Sequence, residues 1–395
     1  MADFDLLIVG GGLASARAIK SYREAGGEGS IALVSKDATL PYHRPPLSKK
    51  FLRGETDDEP LVEDEAFYRD QGVEVMLETE VSSVDVAEHA VQLDGDRVGY
   101  GKLLLATGAW PRRLPVPGAE LEGVHTLRTV GNSRGIREAA SNAERAVVVG
   151  AGFIGMEVSA SLTQIGKHVS LVHLSRWLFE QFGVEQLSDE LAALYEENGI
   201  ELVLGHEVSE FHGNGGLERV STKNGRVVEA DFAVVGVGVA PVTDFLEGSG
   251  IELDNGIVVN ERFETNAPDV YAAGDVANFF DPLFGRQRRI EHWSNANYQG
   301  TEVGKILAGA DGGYDTVSSF FTEIFGITMK LFGDTRRDGE VVVHGSLREG
   351  MIALYGDEKQ EVIGALSVGQ SEEIEELLKE KVRAHVPLSA AITLT

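Results

Sequence analysis

One local pattern, a short apolar strand running into a glycine-rich turn and then a helix, occurs twice in this chain and limits what it can fold into. Residues 5–9 (Asp-Leu-Leu-Ile-Val) stop at Gly10-Gly11-Gly12, and the helical pattern Leu13 to Ile19 follows. Ser30 to Ser35 then reads as a second buried strand, completing a βαβ unit of roughly 30 residues. The arrangement returns with the strand Arg145 to Val149, the turn Gly150-Ala151-Gly152-Phe153-Ile154-Gly155, a helix from Met156 to Ile165 and a strand at Val169 to Val172. A single turn of this kind is consistent with a purely structural bend. Two, each in the strand–turn–helix setting, point to two related nucleotide-binding domains and so to two dinucleotides.

Each glycine of such a turn has a physical task. The first permits the tight bend, the second lets backbone approach a pyrophosphate, and the third lets helix pack on strand. The unpaired N–H groups and partial positive charge of the helix N-terminus then face the phosphates. Gly150, Gly152 and Gly155 meet all three needs, whereas after Gly10 and Gly12 the third place is taken by Ser15, a small residue compatible with close packing. The acid that would bond a ribose at the end of the second strand is irregular in both units. Asp37, after Lys36, is the candidate in the first, while His173, followed by Arg176, occupies the place in the second. Acid at that place repels the 2′-phosphate of NADPH, whereas His and Arg attract it, so NADH and NADPH both stay open.

A chain of 395 residues exceeds one typical core, so two or three domains are expected. Between and after the nucleotide units, segments 73–84, 89–95 and 201–210 are rich in valine, threonine and alternating polar residues and read as small antiparallel sheets. Past residue 315 the pattern changes. Phe320 to Thr322, Thr328 to Phe332 and Met351 to Tyr355 read as strands, and Glu372 to Val382 as an amphipathic helix with Ile374, Leu377, Leu378 and Val382 on one face.

Composition excludes several functions. The chain has no cysteine, so it can form no disulfide, thiolate-ligated iron–sulfur cluster or redox-active dithiol, and any electrons it handles reside on bound cofactors. Its 10 histidines show no ligand spacing, so no metal site is expected. A net charge of −28, from 63 acidic and 35 basic residues, disfavours nucleic acid and anionic membranes. No apolar run approaches the ~20 residues of a membrane helix, and the acidic Met1 to Asp5 does not resemble a secretion signal, so a cytoplasmic location is expected.

Further motifs narrow the reading. Pro41-Tyr42-His43-Arg44-Pro45-Pro46-Leu47-Ser48-Lys49 follows the first βαβ unit, and Ala106-Thr107-Gly108 ends a strand. His125-Thr126-Leu127-Arg128-Thr129, Val270-Tyr271-Ala272-Ala273-Gly274-Asp275 and Glu291-His292-Trp293-Ser294-Asn295-Ala296 come later, in that order. In order and spacing the set resembles the FAD-dependent ferredoxin reductases of oxygenase systems, of putidaredoxin-, rubredoxin- and biphenyl-dioxygenase-reductase type. These are related to apoptosis-inducing factor within the glutathione-reductase-like fold. The resemblance covers residues 5 to about 305 well and the remainder loosely.

The resemblance implies an α/β fold with two Rossmann-like dinucleotide-binding domains and a small α+β C-terminal domain. FAD would occupy residues 1–110 and 231–314, NADH or NADPH residues 111–230, with 315–395 as the third domain. It places Arg44 and Lys49 near the flavin and its phosphates, Arg128 against FAD, and the Val81 backbone against the adenine. Asp275, after Gly274, would bond the ribityl or phosphate portion, helped by the N-terminus of a following helix. Trp293 would sit beside the isoalloxazine and Glu157 would face the nicotinamide. The implied reaction takes a hydride from NAD(P)H and passes single electrons to a ferredoxin-type iron–sulfur protein. Lys49 would stabilise negative charge developing on the flavin. Arg286, Arg288 and Arg289, with Arg112 and Arg113, are the candidate basic docking residues for an acidic ferredoxin. Two other readings fit the same motifs: an NAD(P)H oxidase or diaphorase that reduces oxygen, a quinone or free flavin, and a redox-sensing binding protein. The missing thiol excludes the disulfide-reductase chemistry of the same fold.

Overall fold

A computed structural model of the protein describes residues 3–335 and 339–391. The described chain divides into two compact units, one built from Met1–Arg44, Glu59–Trp110 and Val239–Thr316, the other from Pro45–Asp58, Pro111–Gly238 and Val317–Thr395.

In the first unit the expected βαβ is the strand Phe4–Val9, the helix Leu13–Glu24 and the strand Ile31–Val34. The two strands pair in parallel, Leu6 opposite Ile31 and Val9 opposite Val34, and Arg97–Leu105 lies parallel on the other side. Burial on both faces explains why these strands read as unbroken apolar runs. Val73–Met76 adds a fourth parallel strand at the edge. The stretch from residue 73 is therefore not one small antiparallel sheet. It opens as an edge of the parallel sheet, and only Ser83–Asp85, Ala90–Gln92 and the start of Arg97–Leu105 form antiparallel hairpins. Beside the first helix runs a second, Trp293–Leu307, and small residues set their separation. A Cβ on Gly300 would stand 2.4 Å from the Ala14 carbonyl oxygen, and one on Gly304 2.4 Å from that of Ala18.

The second unit contains a five-stranded parallel sheet in the order Glu201–Leu204, His168–His173, Arg145–Val149, Phe232–Val235, Val124–Thr126. Segment 201–210 thus starts as an edge of this sheet, and the antiparallel part begins only at Val208–Gly213. Phe232–Val235 corrects the boundary at residue 231. It pairs with Arg145–Val149, and the division between units falls at Val239. Pro45–Asp58 also departs from the sequence boundaries. Its turn Pro45–Ser48 is held in the second unit by the Ser133 hydroxyl on the Leu47 carbonyl (2.7 Å) and the Ser161 hydroxyl on the Ser48 carbonyl (2.6 Å).

The C-terminal part of this unit is a five-stranded antiparallel sheet, Ser319–Ile324, Ile327–Gly333, Val362–Val368, Gly350–Gly356 and Val341–Ser346. Three of these contain the expected strands, and Val341–Ser346 and Val362–Val368 are additional. The helix Glu372–Arg383 buries Leu378 and Val382 as its period dictates, but also Glu375, whose carboxylate is paired with Lys330 at 2.6 Å. Phe320 of the first strand packs against Phe153, 4.7 Å between ring centroids, and stacks on Phe182. The C-terminal sheet therefore reaches the first turn of the helix Phe153–Gln164.

The helix contact in the first unit gives a direct test. Gly300→Ala forces two backbones apart and is expected to lower stability by about 2–3 kcal/mol in chemical denaturation. An unchanged midpoint would contradict the close packing.

Candidate active site

In the first unit the glycine turn is sterically obligatory. Gly10 has φ +117°, and a Cβ there would meet the Ala106 carbonyl oxygen at 2.3 Å. The helix that follows has Gly12 at its N-cap and no side-chain cap, so its first-turn N–H groups remain available to an anion. Ser15 is fully buried, and its hydroxyl donates to the Gly10 carbonyl, which is how serine replaces the third glycine. Arg44 stands at this turn: a Cβ on Gly12 would be 3.7 Å from its Nη1, and its guanidinium lies over the Tyr42 ring at 5.6 Å. Gly274 closes on the same helix, where its Cβ would stand 3.2 Å from that of Ala14, and its N–H donates to Gln299 Oε1.

Asp37 accepts from the Tyr42 hydroxyl (2.7 Å) and from the Thr39 N–H (3.2 Å), so the carboxylate is oriented by its own loop. Val81 is nearly buried, and its backbone N–H and C=O bond to no other described residue. An uncapped helix, a bare glycine turn, an arginine beside it and an unspent backbone pair together suit a dinucleotide such as FAD. Asp275 is followed by the strand Ala277–Asp281, not by a helix, which corrects the expectation that a helix N-terminus assists it. The next helix starts at Trp293, whose Nε1–H donates to His43 Nδ1 at 2.9 Å.

The expected docking arginines are not one exposed group. Arg288 is paired at 2.7 Å with Asp281, itself fully buried, and stacks on Phe284; Arg289 is paired with Glu291 and donates to the Asp275 carbonyl. Both guanidiniums are neutralised where they stand. Arg112 and Arg113 are exposed, Arg113 paired with Glu120.

The second unit holds the complete turn. A Cβ on Gly150 would meet the Gly236 carbonyl oxygen at 2.3 Å, and one on Gly155 the Gly150 carbonyl oxygen at 1.8 Å, while Gly152 faces open space. His173 bends back to the turn, where its Nδ1 accepts from the Ala151 N–H at 3.2 Å. Arg128 precedes the helix Val130–Ser141, its N–H donating to Asn132.

One turn into the helix, Glu157 is buried and receives three donors. Lys49 Nζ lies 2.6 Å and the Thr322 hydroxyl 2.7 Å from Oε1, and the Ser48 hydroxyl lies 2.5 Å from Oε2. A charge so placed is tolerated because every approach to it carries a donor. A cleft of about 340 Å³ opens beside it, lined in part by Lys49, Lys50, Arg53, Glu157 and Phe325. Lys49 and Glu157 were expected at the site; their pairing was not. Ser48, His43 and Tyr42 lie inside the proline-rich motif, so attention to its hydroxyls and ring could have found them. Thr322 acts across 165 residues from a strand with no distinguishing pattern.

Relatives agree with this architecture. The sequence model of the pyridine nucleotide-disulphide oxidoreductase family matches residues 4–300. Human apoptosis-inducing factor 3 is 37% identical over 92% of this chain, which spans 60% of that protein's length. The ferredoxin–NAD(+) reductase subunit of the benzene 1,2-dioxygenase system of Pseudomonas putida is 33% identical over 88% of this chain and 85% of its own. Among solved structures, the covalent putidaredoxin reductase–putidaredoxin complex superposes with a TM-score of 0.92 at 29% identity, covering 98% of this chain and 94% of that one.

Two predictions follow from the geometry. Thr322→Val removes one donor from a buried carboxylate and is expected to cost about 1–3 kcal/mol in denaturation, with Thr322→Ser restoring most of it. No loss in the valine variant would remove Thr322 from the network. Burial depresses the pKa of His43, helped by the charge of Arg17, and burial likewise depresses that of His173, both from an ordinary 6.5. Below that value the unfolded chain binds more protons than the folded one, so stability should fall as pH drops below about 6.5 and be flat in these groups above it. His43→Gln should flatten the slope; an unaltered slope would contradict the assignment. On its motifs, its fold and its relatives, the chain belongs to the pyridine nucleotide-disulphide oxidoreductase family.

Proposed function

We propose that the protein is an FAD-dependent NAD(P)H:ferredoxin oxidoreductase, taking a hydride from NAD(P)H and passing two single electrons to ferredoxin-type iron–sulfur proteins. The observation that carries this reading is the pair of dinucleotide turns in a chain without a single cysteine. The names of its relatives and the ferredoxin bound in the putidaredoxin reductase complex support it. Bound FAD supplies the conversion between a two-electron donor and a one-electron acceptor.

The chain's own groups bind and orient. Gly10, Gly12, Ser15, Asp37, Arg44, Val81, Gly274, Asp275 and Trp293, all of the first unit, hold FAD. Gly150, Gly152, Gly155, Glu157, His173 and Arg176 hold the nicotinamide nucleotide. The ion pair with Glu157 and the carbonyl of Pro45, 3.4 Å from Nζ, fix the Lys49 ammonium so that it can stabilise negative charge without first reorganising. Among the described residues no helix is long and apolar enough to cross a membrane, and a cytoplasmic location belongs to the same proposal.

The neutralised Arg288 and Arg289 favour a second reading, an NAD(P)H oxidase or diaphorase whose acceptor is small and needs no basic docking face. Anaerobic reduction by NAD(P)H, followed by a 2Fe–2S ferredoxin or by air, separates the two. Fast transfer to ferredoxin and slow reaction with air is expected; the reverse would establish the oxidase.

Lys49→Met leaves Glu157 buried without its cation, so it should destabilise the protein by about 3–5 kcal/mol and slow flavin reduction in stopped flow. Reduction at the wild-type rate would take Lys49 out of the mechanism.

A further inference from the structure

The outer end of the second nucleotide turn lacks a feature that a bare ribose would need. The strand His168–His173 enters a loop with no Asp or Glu between residues 168 and 179. The carboxylate whose charge acts on His173 is that of Glu180, an exposed residue. An acid at position 173 would accept hydrogen bonds from both ribose hydroxyls and repel a 2′-phosphate.

What stands there instead is a donor and a cation. The bond from the Ala151 N–H consumes the lone pair of His173 Nδ1, so the ring is neutral, carries its proton on Nε2 and can only donate outward. The loop is fastened in place. The His206 N–H donates to the His173 carbonyl at 2.9 Å, and the Gly205 N–H to the Ser175 carbonyl at 3.0 Å. Arg176 follows at once, exposed and without an ion-pair partner among the described residues. Its stem runs over Gly205, where an added Cβ would stand 3.5 Å from Arg176 Cγ, so the glycine leaves the arginine its place. In a chain of net charge −28, most guanidiniums in the structure find a carboxylate, and one left over beside a nucleotide turn offers a phosphate its strongest bonding partner.

We infer that the enzyme selects the 2′-phosphorylated nucleotide, NADPH over NADH, with Arg176 as the specificity-determining cation and His173 as a neutral donor. The inference rests on the proposed reading of the second turn as the nicotinamide-nucleotide site. It sets the chain apart from relatives named for NAD(+).

Calorimetric titration of the holoenzyme with 2′,5′-ADP and with 5′-ADP tests the inference without turnover. The 2′-phosphorylated fragment should bind ~10-fold or more tightly, the gap expected of one charge-assisted contact. Arg176→Ala should erase the difference and His173→Glu should reverse it, and the NADPH/NADH ratio of kcat/KM should move in parallel. Equal binding of the two fragments, or a preference unchanged in Arg176→Ala, would overturn the inference and leave the nucleotide site standing. Binding of neither fragment would overturn the site itself.

Discussion

In the two nucleotide turns backbone touches backbone, and the sites are arranged around those contacts. Gly10 lies against the Ala106 carbonyl, Gly150 against that of Gly236, and Gly155 against that of Gly150, each at a distance that forbids a Cβ. Those contacts bring a strand, a turn and a helix close together, and each helix starts at a glycine with no capping side chain. An uncapped helix start is a cost when nothing binds there and a binding site when a phosphate does. The same logic extends to Gly300 and Gly304, which let the helix Trp293–Leu307 lie against the one that follows the first turn. Backbone approach, more than any side chain, creates the places where a dinucleotide fits.

Around the second turn, side chains perform a different task. Glu157 is an acid in a buried place, and its three donors come from separate segments: Lys49 and Ser48 from the Pro45–Asp58 stretch, Thr322 from the C-terminal sheet. A carboxylate with this shell cannot be relieved of one partner without leaving a buried charge short. The network thereby ties the C-terminal sheet to the helix that carries the nucleotide turn, and Phe320 against Phe153 does the same through apolar contact. Both contacts lie within one compact unit, which gives the third element of the sequence a structural reason to accompany the second.

Both βαβ units were legible because their signals are local: an apolar run, glycines at fixed offsets, a helical period. The place of Phe232–Val235 in its sheet was not legible, since an apolar run of four residues fits either parallel sheet equally well. The edges at Val73–Met76 and Glu201–Leu204 misled for the same reason: alternation identifies a strand without identifying its neighbour. At the site, residue types were readable and pairings were not. Arg288 and Arg289 looked like a docking face because nothing local announces that Asp281 and Glu291 pair with them. Thr322 had no local mark at all, because what matters about it is a partner far along the chain.

With no cysteine in the chain, electrons have only bound cofactors to reside on, although the family is named for disulphide chemistry. An anaerobic dithionite titration of the purified holoenzyme, followed by flavin absorbance, tests this most directly. Complete reduction at about two electrons per FAD is expected, since no thiol pair can take more. Uptake of about four electrons per FAD would reveal a second redox group and contradict the account.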